Sequence, residues 1–334
     1  MRSERVTLQQ VAAAAGVSPT TASFVLSGRK DGQRAASEAT AARVTRAARE
    51  LGYAPNAHAR AMRTGRTDSL ALALGDARDP WVGELAHVVS QHGVARGLST
   101  LVLVDDSWHA LLQGHQFDCS LVTGAEYGPG RQQLLELARQ GQRMVVHSGE
   151  FEPEGFDVIR STAVHAVGLA YERLRSRHDR VHFVGWEPLP GVRGRSDIFQ
   201  EVALAAGDDP AECLLLAPTL ADGLASAGDW LQGQRRPTAV IAQMGYLAIS
   251  VQAAAMRLGI AVPDDLEIIA LGDVPPASSL FGPVSHYAPD DSFNRMAAMV
   301  IDRALMTPDD LPWRLLDLAW EFQPGLTTRD PLIE

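Results

Sequence analysis

The first 67 residues constrain the fold most, because they follow a helix-turn-helix pattern. Apolar residues recur at helical spacing between residues 8 and 15, and Gly16 can end that helix. Ser18 and Pro19 then fit the N-cap and first position of a second, short helix. A short helix that displays small polar side chains fits the major groove of DNA.

The charge distribution supports the same interpretation. Residues 1–67 contain 11 Lys and Arg but only 4 Asp and Glu, a net charge of +7. The remaining residues contain 19 Lys and Arg against 36 Asp and Glu, a net charge of −17. An ordinary three-helix bundle has no need of such a basic surface. We therefore expect a DNA-binding head joined to an acidic body that does not bind DNA.

Residues 6–67 resemble the N-terminus of the lac repressor/galactose repressor (LacI/GalR) family of bacterial transcription factors. The resemblance rests on TLQQVA, AGVS, the T-x-S-x-V-L-S-G pattern of residues 21–28, and ELGYAPNAHARAMRTGRT. It implies a helix-turn-helix domain at 1–54, a hinge at 55–67 and an effector-binding and dimerisation core at 68–334. The candidate DNA-binding residues of the first domain are Thr7, Ser18, Pro19, Thr20, Thr21, Ser23 and Phe24.

The hinge segment is the most specific part of the resemblance. In this family the hinge becomes helical on the operator, and two copies enter the minor groove and wedge an apolar side chain into the central base step. Met62 occupies the wedge position. The alternative, a plain linker, accounts for Gly65 and Thr67 but not for the sequence before them. The candidate DNA-binding residues of the hinge are Asn56, Ala59, Arg60, Met62 and Arg63.

Phe24 departs from the family pattern, which usually has Arg at this position of the recognition helix. Phenylalanine cannot donate a hydrogen bond to a guanine edge; it can only contact a thymine methyl group or pack within the helical domain. Both roles for Phe24 remain open. We expect DNA binding to persist but the operator sequence to differ.

Beyond residue 67, apolar strands alternate with amphipathic helices, which is typical of parallel sheets covered on both faces. Strands are predicted at 70–74, 100–104, 119–122, 143–147, 181–185, 213–216, 239–242 and 267–271. Helices are predicted at 83–95, 131–139, 163–175, 196–206, 221–231 and 246–258. The fold class is therefore α/β, with an all-α N-terminal domain and two doubly wound lobes.

The resemblance implies that the core is similar to periplasmic sugar-binding proteins, with an effector cleft between its lobes. The N-lobe is expected at about 68–160 and 288–320, and the C-lobe at about 161–287 and 321–334. Crossovers between the lobes would fall near residues 160, 287 and 320. The residues that match family pocket positions are Asp79, Trp81, Arg195 and Asp273.

Several family pocket positions are altered. The Ala-Asn-Asp motif is replaced at residues 242–245 by Ala-Gln-Met-Gly, and the Gly-Phe-Asp-Asp turn keeps one candidate carboxylate, Asp273. These losses argue against a simple hexose and favour an apolar or anionic effector, or none. His147, Trp186 and Trp320 are further candidates, although ordinary packing accounts for each. The abbreviated stretch after the second strand predicts loss of a helix at about 107–116.

Three functional classes compete. The first is a transcriptional regulator, in most family members a repressor, that binds a palindromic double-stranded DNA operator as a homodimer and responds to a small molecule. The second, a secreted solute-binding protein, conflicts with the basic head and with the absence of a signal-peptide pattern. The third, an enzyme, lacks a phosphate-binding loop, a metal-ligand cluster and a nucleophile elbow.

The remaining sequence features fit the regulator. Cys119 and Cys213 stand alone in apolar runs, as reduced thiols of a cytoplasmic protein do. No apolar run reaches the roughly 18 residues that span a bilayer. We therefore expect a cytoplasmic dimer without cofactor, metal or membrane association.

Overall fold

A computed structural model describes residues 6–26, 36–53, 61–62, 64–75, 79–104, 107–126, 129–187, 193–233, 236–275, 282–306 and 312–329. The chain divides into two compact units, Met1–Asp68 and Ser69–Glu334. The first contains α1 (Leu8–Ala15), α2 (Pro19–Leu26) and α3 (Glu38–Leu51). The second contains two six-stranded sheets.

The N-terminal unit is built around a small core of valine and alanine. Val11, Ala12 and Ala15 of α1 pack against Ala22 of α2 and against the apolar stripe of α3. Gly16 adopts the left-handed conformation at the end of α1, with φ of 66°, as the sequence predicts. Small core residues let the three helices approach closely and leave the polar face of α2 at the surface.

The N-lobe of the second unit contains a parallel sheet in the order β11-β5-β4-β3-β1-β2. Helices α4 and α12 cover one face of this sheet, and α5 and α6 cover the other. The elements, in chain order, are β1 (Ser69–Ala73), α4 (Pro80–Val94), β2 (Ser99–Leu103), α5 (Trp108–Gly114), β3 (Cys119–Thr123), α6 (Gly130–Arg139), β4 (Met144–His147), β5 (Asp157–Arg160), and, after the C-lobe segment, α12 (Ser292–Leu305) and β11 (Leu315–Asp317).

The C-lobe repeats this plan with the sheet order β12-β10-β9-β8-β6-β7. Only β12 runs antiparallel to its neighbour, β10. Helices α7 and α8 cover one face, and α10 and α11 cover the other. The elements are α7 (Val164–Arg175), β6 (His182–Trp186), α8 (Arg195–Ala205), α9 (Pro210–Cys213), β7 (Leu214–Ala217), α10 (Leu220–Gln232), β8 (Ala239–Ala242), α11 (Gly245–Arg257), β9 (Glu267–Leu271), β10 (Ser285–Ala288) and β12 (Glu321–Gln323).

The chain passes between the two sheets three times. It leaves the N-lobe sheet after β5, returns to that lobe between β10 and α12, and crosses again between β11 and β12. These crossovers lie close to residues 160, 287 and 320. The predicted α/β fold class, with an all-α head and two parallel-sheet lobes, is confirmed.

One prediction is wrong: residues 107–116 are not devoid of helix. Residues Trp108–Gly114 form α5, in which Trp108 and Leu112 are buried in the N-lobe core. Trp108 and Leu112 are four residues apart and so lie on the same face of the helix, which lets this two-turn helix pack on the sheet. Burial of these side chains explains why the shortened segment keeps its helix.

Two fully buried carboxylates anchor the edges of the lobes. Asp157, at the start of β5, accepts hydrogen bonds from Nε of Arg303 on α12 at 2.8 Å and from the backbone N–H of Arg314 at 2.9 Å. Glu267, at the start of β9, accepts from Nε of Arg177 at 3.0 Å and from the backbone N–H of Arg329 at 2.6 Å. Each carboxylate thus ties segments distant in sequence to its sheet.

Candidate functional sites: the head helices and the interlobe cleft

The N-terminal helices of the head are capped by hydroxyl groups. The backbone N–H of Thr21 donates to Oγ of Ser18 at 3.1 Å, and the two side-chain hydroxyl groups are 2.9 Å apart. Thr7 caps α1, and Gln10 completes a capping box. Ser18 therefore takes its predicted place at the start of α2, and Thr7 has a structural role in addition to its candidate contact with DNA.

The surface of α2 displays the predicted candidates to different extents. Pro19 and Thr20 are exposed, whereas Thr21, Ser23 and Phe24 are half-buried. Part of the Phe24 ring is thus accessible and part is covered. Its function, base contact or packing, stays a prediction.

Met62 is 90% exposed and helical. An apolar side chain this exposed is accessible to another molecule, and its function as a wedge stays a prediction. The other hinge candidates, Asn56, Ala59, Arg60 and Arg63, lie outside the described residues.

A cavity of about 620 Å³ lies between the two lobes. Its walls come from the carboxyl ends of β1, β3 and β4 in the N-lobe and of β6, β8 and β9 in the C-lobe, together with all three crossovers. All four predicted effector-binding residues line it: Asp79, Trp81, Arg195 and Asp273.

Arg195, the first residue of α8, is held against the C-lobe wall. Its Nη1 donates to the carbonyl oxygens of Gln243, at 2.5 Å, and Leu271, at 3.3 Å. The guanidinium carbon also lies 5.1 Å from the centre of the Trp320 ring. Burial lowers the pKa of the Arg195 guanidinium, while the charges of Asp79 and Asp273 act in the opposite direction. The side chain is therefore fixed in place before any ligand enters.

On the N-lobe wall, Asp79 and Trp81 occupy the start of α4. A side-chain oxygen of Asp79 accepts from the backbone N–H of Trp81 at 2.9 Å, which caps the helix. The Trp81 ring lies 5.3 Å from that of His147 and 6.2 Å from that of Phe293. Burial, together with the charge of Arg195, lowers the pKa of His147 to about 4, so the imidazole is neutral at pH 7.

The altered positions 242–245 have a structural explanation. Oε1 of Gln243 accepts from the backbone N–H of Trp186 at 3.1 Å, so this amide joins β8 to the end of β6. A Cβ on Gly245 would lie 2.5 Å from the carbonyl oxygen of Asp273, closer than side-chain carbons approach. Gln243 and Gly245 therefore stabilise the C-lobe wall, on which Asp273 supplies a carboxylate. Burial raises the pKa of Asp273, opposed by a hydrogen bond from the Ser292 hydroxyl at 3.0 Å.

Three further aromatic residues, for which the sequence favoured ordinary packing, lie at the cavity. His147, Trp186 and Trp320 all line the cavity and are only partly buried. Trp320 also donates from Nε1 to Oγ of Ser161 at 3.0 Å, linking two crossovers. The positions of His147 and Trp186 at the carboxyl ends of predicted strands were a sufficient signal. Trp320 had no comparable signal, because it lies in an irregular crossover.

Comparison with known proteins supports both parts of the chain. Residues 7–56 match the lacI family of bacterial regulatory proteins, and residues 172–310 match the periplasmic binding protein-like domain. The chain is 28% identical to the HTH-type transcriptional repressor PurR of Proteus mirabilis over 330 residues, 91% of this chain and 92% of PurR. The head of this chain is therefore a DNA-binding domain of the lacI family.

Solved structures of the family share the fold. A LacI-family regulator from Silicibacter pomeroyi aligns with a TM-score of 0.77 and 22% identity, covering 97% of this chain and 100% of that one. The lac repressor dimer bound to operator and the anti-inducer ONPF aligns with a TM-score of 0.69 and 18% identity, covering 97% and 99%. The two matched domains and the similarity to PurR identify the chain as a transcriptional regulator with a DNA-binding domain and a periplasmic-binding-protein-like effector domain.

Within the described part of the chain, no helix combines the length and apolarity needed to cross a membrane.

Proposed function

We propose that this regulator is a repressor that binds a palindromic operator as a homodimer in the cytoplasm, and that a small molecule in the interlobe cleft modulates the binding. The cleft carries the regulatory part of the proposal: a cavity of about 620 Å³ is bounded by two lobes and by the three crossovers that connect them. A ligand that contacts both walls stabilises one relative position of the two lobes over others. In the proposed dimer, this change alters the spacing of the two hinges, one from each copy, and so their binding to DNA.

An apolar edge of the N-lobe supports the homodimer. Strand β2 lies at the edge of its sheet, and Leu101, Val102 and Val104 expose 39–47% of their surface there. Val94, at the end of the preceding helix, is 73% exposed. An exposed apolar edge strand favours pairing with another chain. A second copy of this chain is the occupant we propose, as in the lac repressor dimer.

The decisive experiment is capture of sheared genomic DNA by the full-length protein, followed by sequencing. We expect a shared palindrome with a flexible central base step, and lower affinity as salt rises, because phosphate contacts release counterions. Captured DNA without a shared motif, or affinity that does not depend on salt, would contradict the proposal.

Met62 offers a sharper test of the hinge. Met62→Gly removes the apolar wedge, and we expect specific operator affinity to fall about tenfold or more, about 1.4 kcal/mol. Met62→Leu is the matched control, since it keeps an apolar side chain and should retain most of the affinity. Fluorescence anisotropy on operator and on random duplex measures both. An equal loss of affinity on the two duplexes would exclude the wedge.

A further inference from the structure

The arginine and glutamate side chains that line the described part of the cleft differ in whether they have charge or hydrogen-bond partners. Among the described residues of the wall, both guanidinium groups have partners: Arg193 pairs with Glu201 at 2.6 Å, and Arg195 binds two backbone carbonyls between the charges of Asp79 and Asp273. Glu126 and Glu150 lie after β3 and β4 on the N-lobe wall, and within the described residues neither carboxylate has an ion-pair or hydrogen-bond partner for its side chain.

Five helices, α4, α7, α8, α11 and α12, begin at the described part of the cavity wall, and α7, α11 and α12 have no side-chain cap. Helix N-termini carry partial positive charge, but the chain's own carboxylates occupy two of them. Asp79 accepts from the backbone N–H of Trp81 on α4, and Asp197 accepts from the N–H of Gly194 at 2.7 Å before α8. His147 is neutral at pH 7. The described residues that line the cleft include four carboxylates, Asp79, Glu126, Glu150 and Asp273, against two guanidinium groups, Arg193 and Arg195, so their formal charge is negative.

The same wall offers aromatic surface to a cation. Trp81 and Trp186 each expose part of their ring to the cavity, while the Trp320 face is covered by Arg195. The faces of indole rings attract cations, and more strongly where water is excluded. We infer, on the basis of the proposed effector function, that the cleft selects a small organic cation, a protonated amine attached to a ring, with the ring against Trp81 and the ammonium group near Glu126 and Glu150.

The cationic ligand differs from the anionic effector that the sequence left as an alternative. The family carboxylates are missing from the C-lobe wall, so the carboxylates that attract the cation are Glu126 and Glu150 of the N-lobe wall.

Three probes with the same ring test the inference on the full-length protein. Benzylamine, benzyl alcohol and benzoate are respectively cationic, neutral and anionic at pH 7.5, and their dissociation constants can be measured by ligand-observed NMR. We expect benzylamine to bind about fivefold or more tightly than benzyl alcohol, and benzoate to bind most weakly. Benzoate binding as tightly as benzylamine, or no detectable binding of benzylamine, would overturn the inference.

Variants locate the effect and separate this inference from the proposed function. The double variant Glu126→Gln/Glu150→Gln should bring benzylamine to the affinity of benzyl alcohol. Glu172→Gln on α7, an exposed carboxylate outside the cleft, should change neither. The double variant could still bind benzylamine more tightly than benzyl alcohol while Trp81→Leu weakens the binding of all three probes. That result would overturn the assignment of the negative charge to Glu126 and Glu150 and leave the cleft as the binding site. If Trp81→Leu also has no effect, the cleft is not the binding site, and the effector part of the proposed function fails with it.

Discussion

The two walls of the cleft come from the same kind of strand ends but are built differently. On the C-lobe wall, polar side chains bind one another and the backbone: Arg195 donates to two carbonyls, and Gln243 joins adjacent strand ends. On the N-lobe wall, Trp81 is held by ring contacts, while Glu126 and Glu150 line the cavity without a side-chain partner among the described residues. The C-lobe wall is thus a fixed frame, and the N-lobe wall supplies charge and aromatic surface.

The largest expected effect comes from breaking the frame at Arg195. Arg195→Met leaves the buried carbonyls of Gln243 and Leu271 without their donor, and we expect the free energy of unfolding to fall by about 2–4 kcal/mol. Urea denaturation measures the change. Arg193→Met is the matched control, because that exposed side chain pairs with the exposed Glu201 at the surface and its loss should change stability little. Equal effects of the two substitutions would mean that Arg195 does not brace the wall.

A pair of glycines compares the rigidity of the walls directly. A Cβ at Gly245 would lie 2.5 Å from the Asp273 carbonyl oxygen and 2.8 Å from Cα of Val274. At Gly149, on the N-lobe side, the nearest atom would be Cβ of Thr162, at an ordinary 3.8 Å. Gly245→Ala should therefore cost about 1–3 kcal/mol of stability, and Gly149→Ala almost none.

Thermal denaturation of both alanine variants checks this prediction. The difference between the walls would be refuted if Gly245→Ala melted at the temperature of Gly149→Ala, since that result would require the C-lobe wall to yield without cost.

The last effect concerns pH and the N-lobe wall. Native His147 remains neutral down to a pKa of about 4, whereas in the unfolded chain it is protonated below about 6.5. Unfolding therefore takes up a proton between these values, and His147 lowers stability as pH falls from about 6.5 to about 4. His147→Gln should reduce this loss of stability relative to its own value at pH 7. Denaturant titrations at pH 7 and pH 4.5 give the comparison, and an unchanged pH slope would show that the imidazole is not buried in the neutral form.

Periodicity and glycine placement predicted most of the framework. The eight predicted strands are all present within about two residues of their expected ends, because apolar alternation and buried runs are local signals. Helix α12 was not predicted, although Met296, Val300 and Ala304 repeat every four residues and are buried against α4. Strands β5, β10, β11 and β12 were also missed, since three- or four-residue strands at crossovers carry too little pattern.

The sequence by itself determined the basic head, the α/β body and four residues of the cleft, because charge, periodicity and short motifs are properties of neighbouring positions. Only the tertiary structure decided which cleft charges are compensated. The partners of Arg195 lie 48 and 76 residues away, and the carboxylate Asp157 meets an arginine 146 residues later. The contacts of Arg195 depend on the C-lobe sheet, which brings the ends of β8 and β9 beside the start of α8. The contact of Asp157 depends on the crossovers that return the chain to the N-lobe after the C-lobe segment.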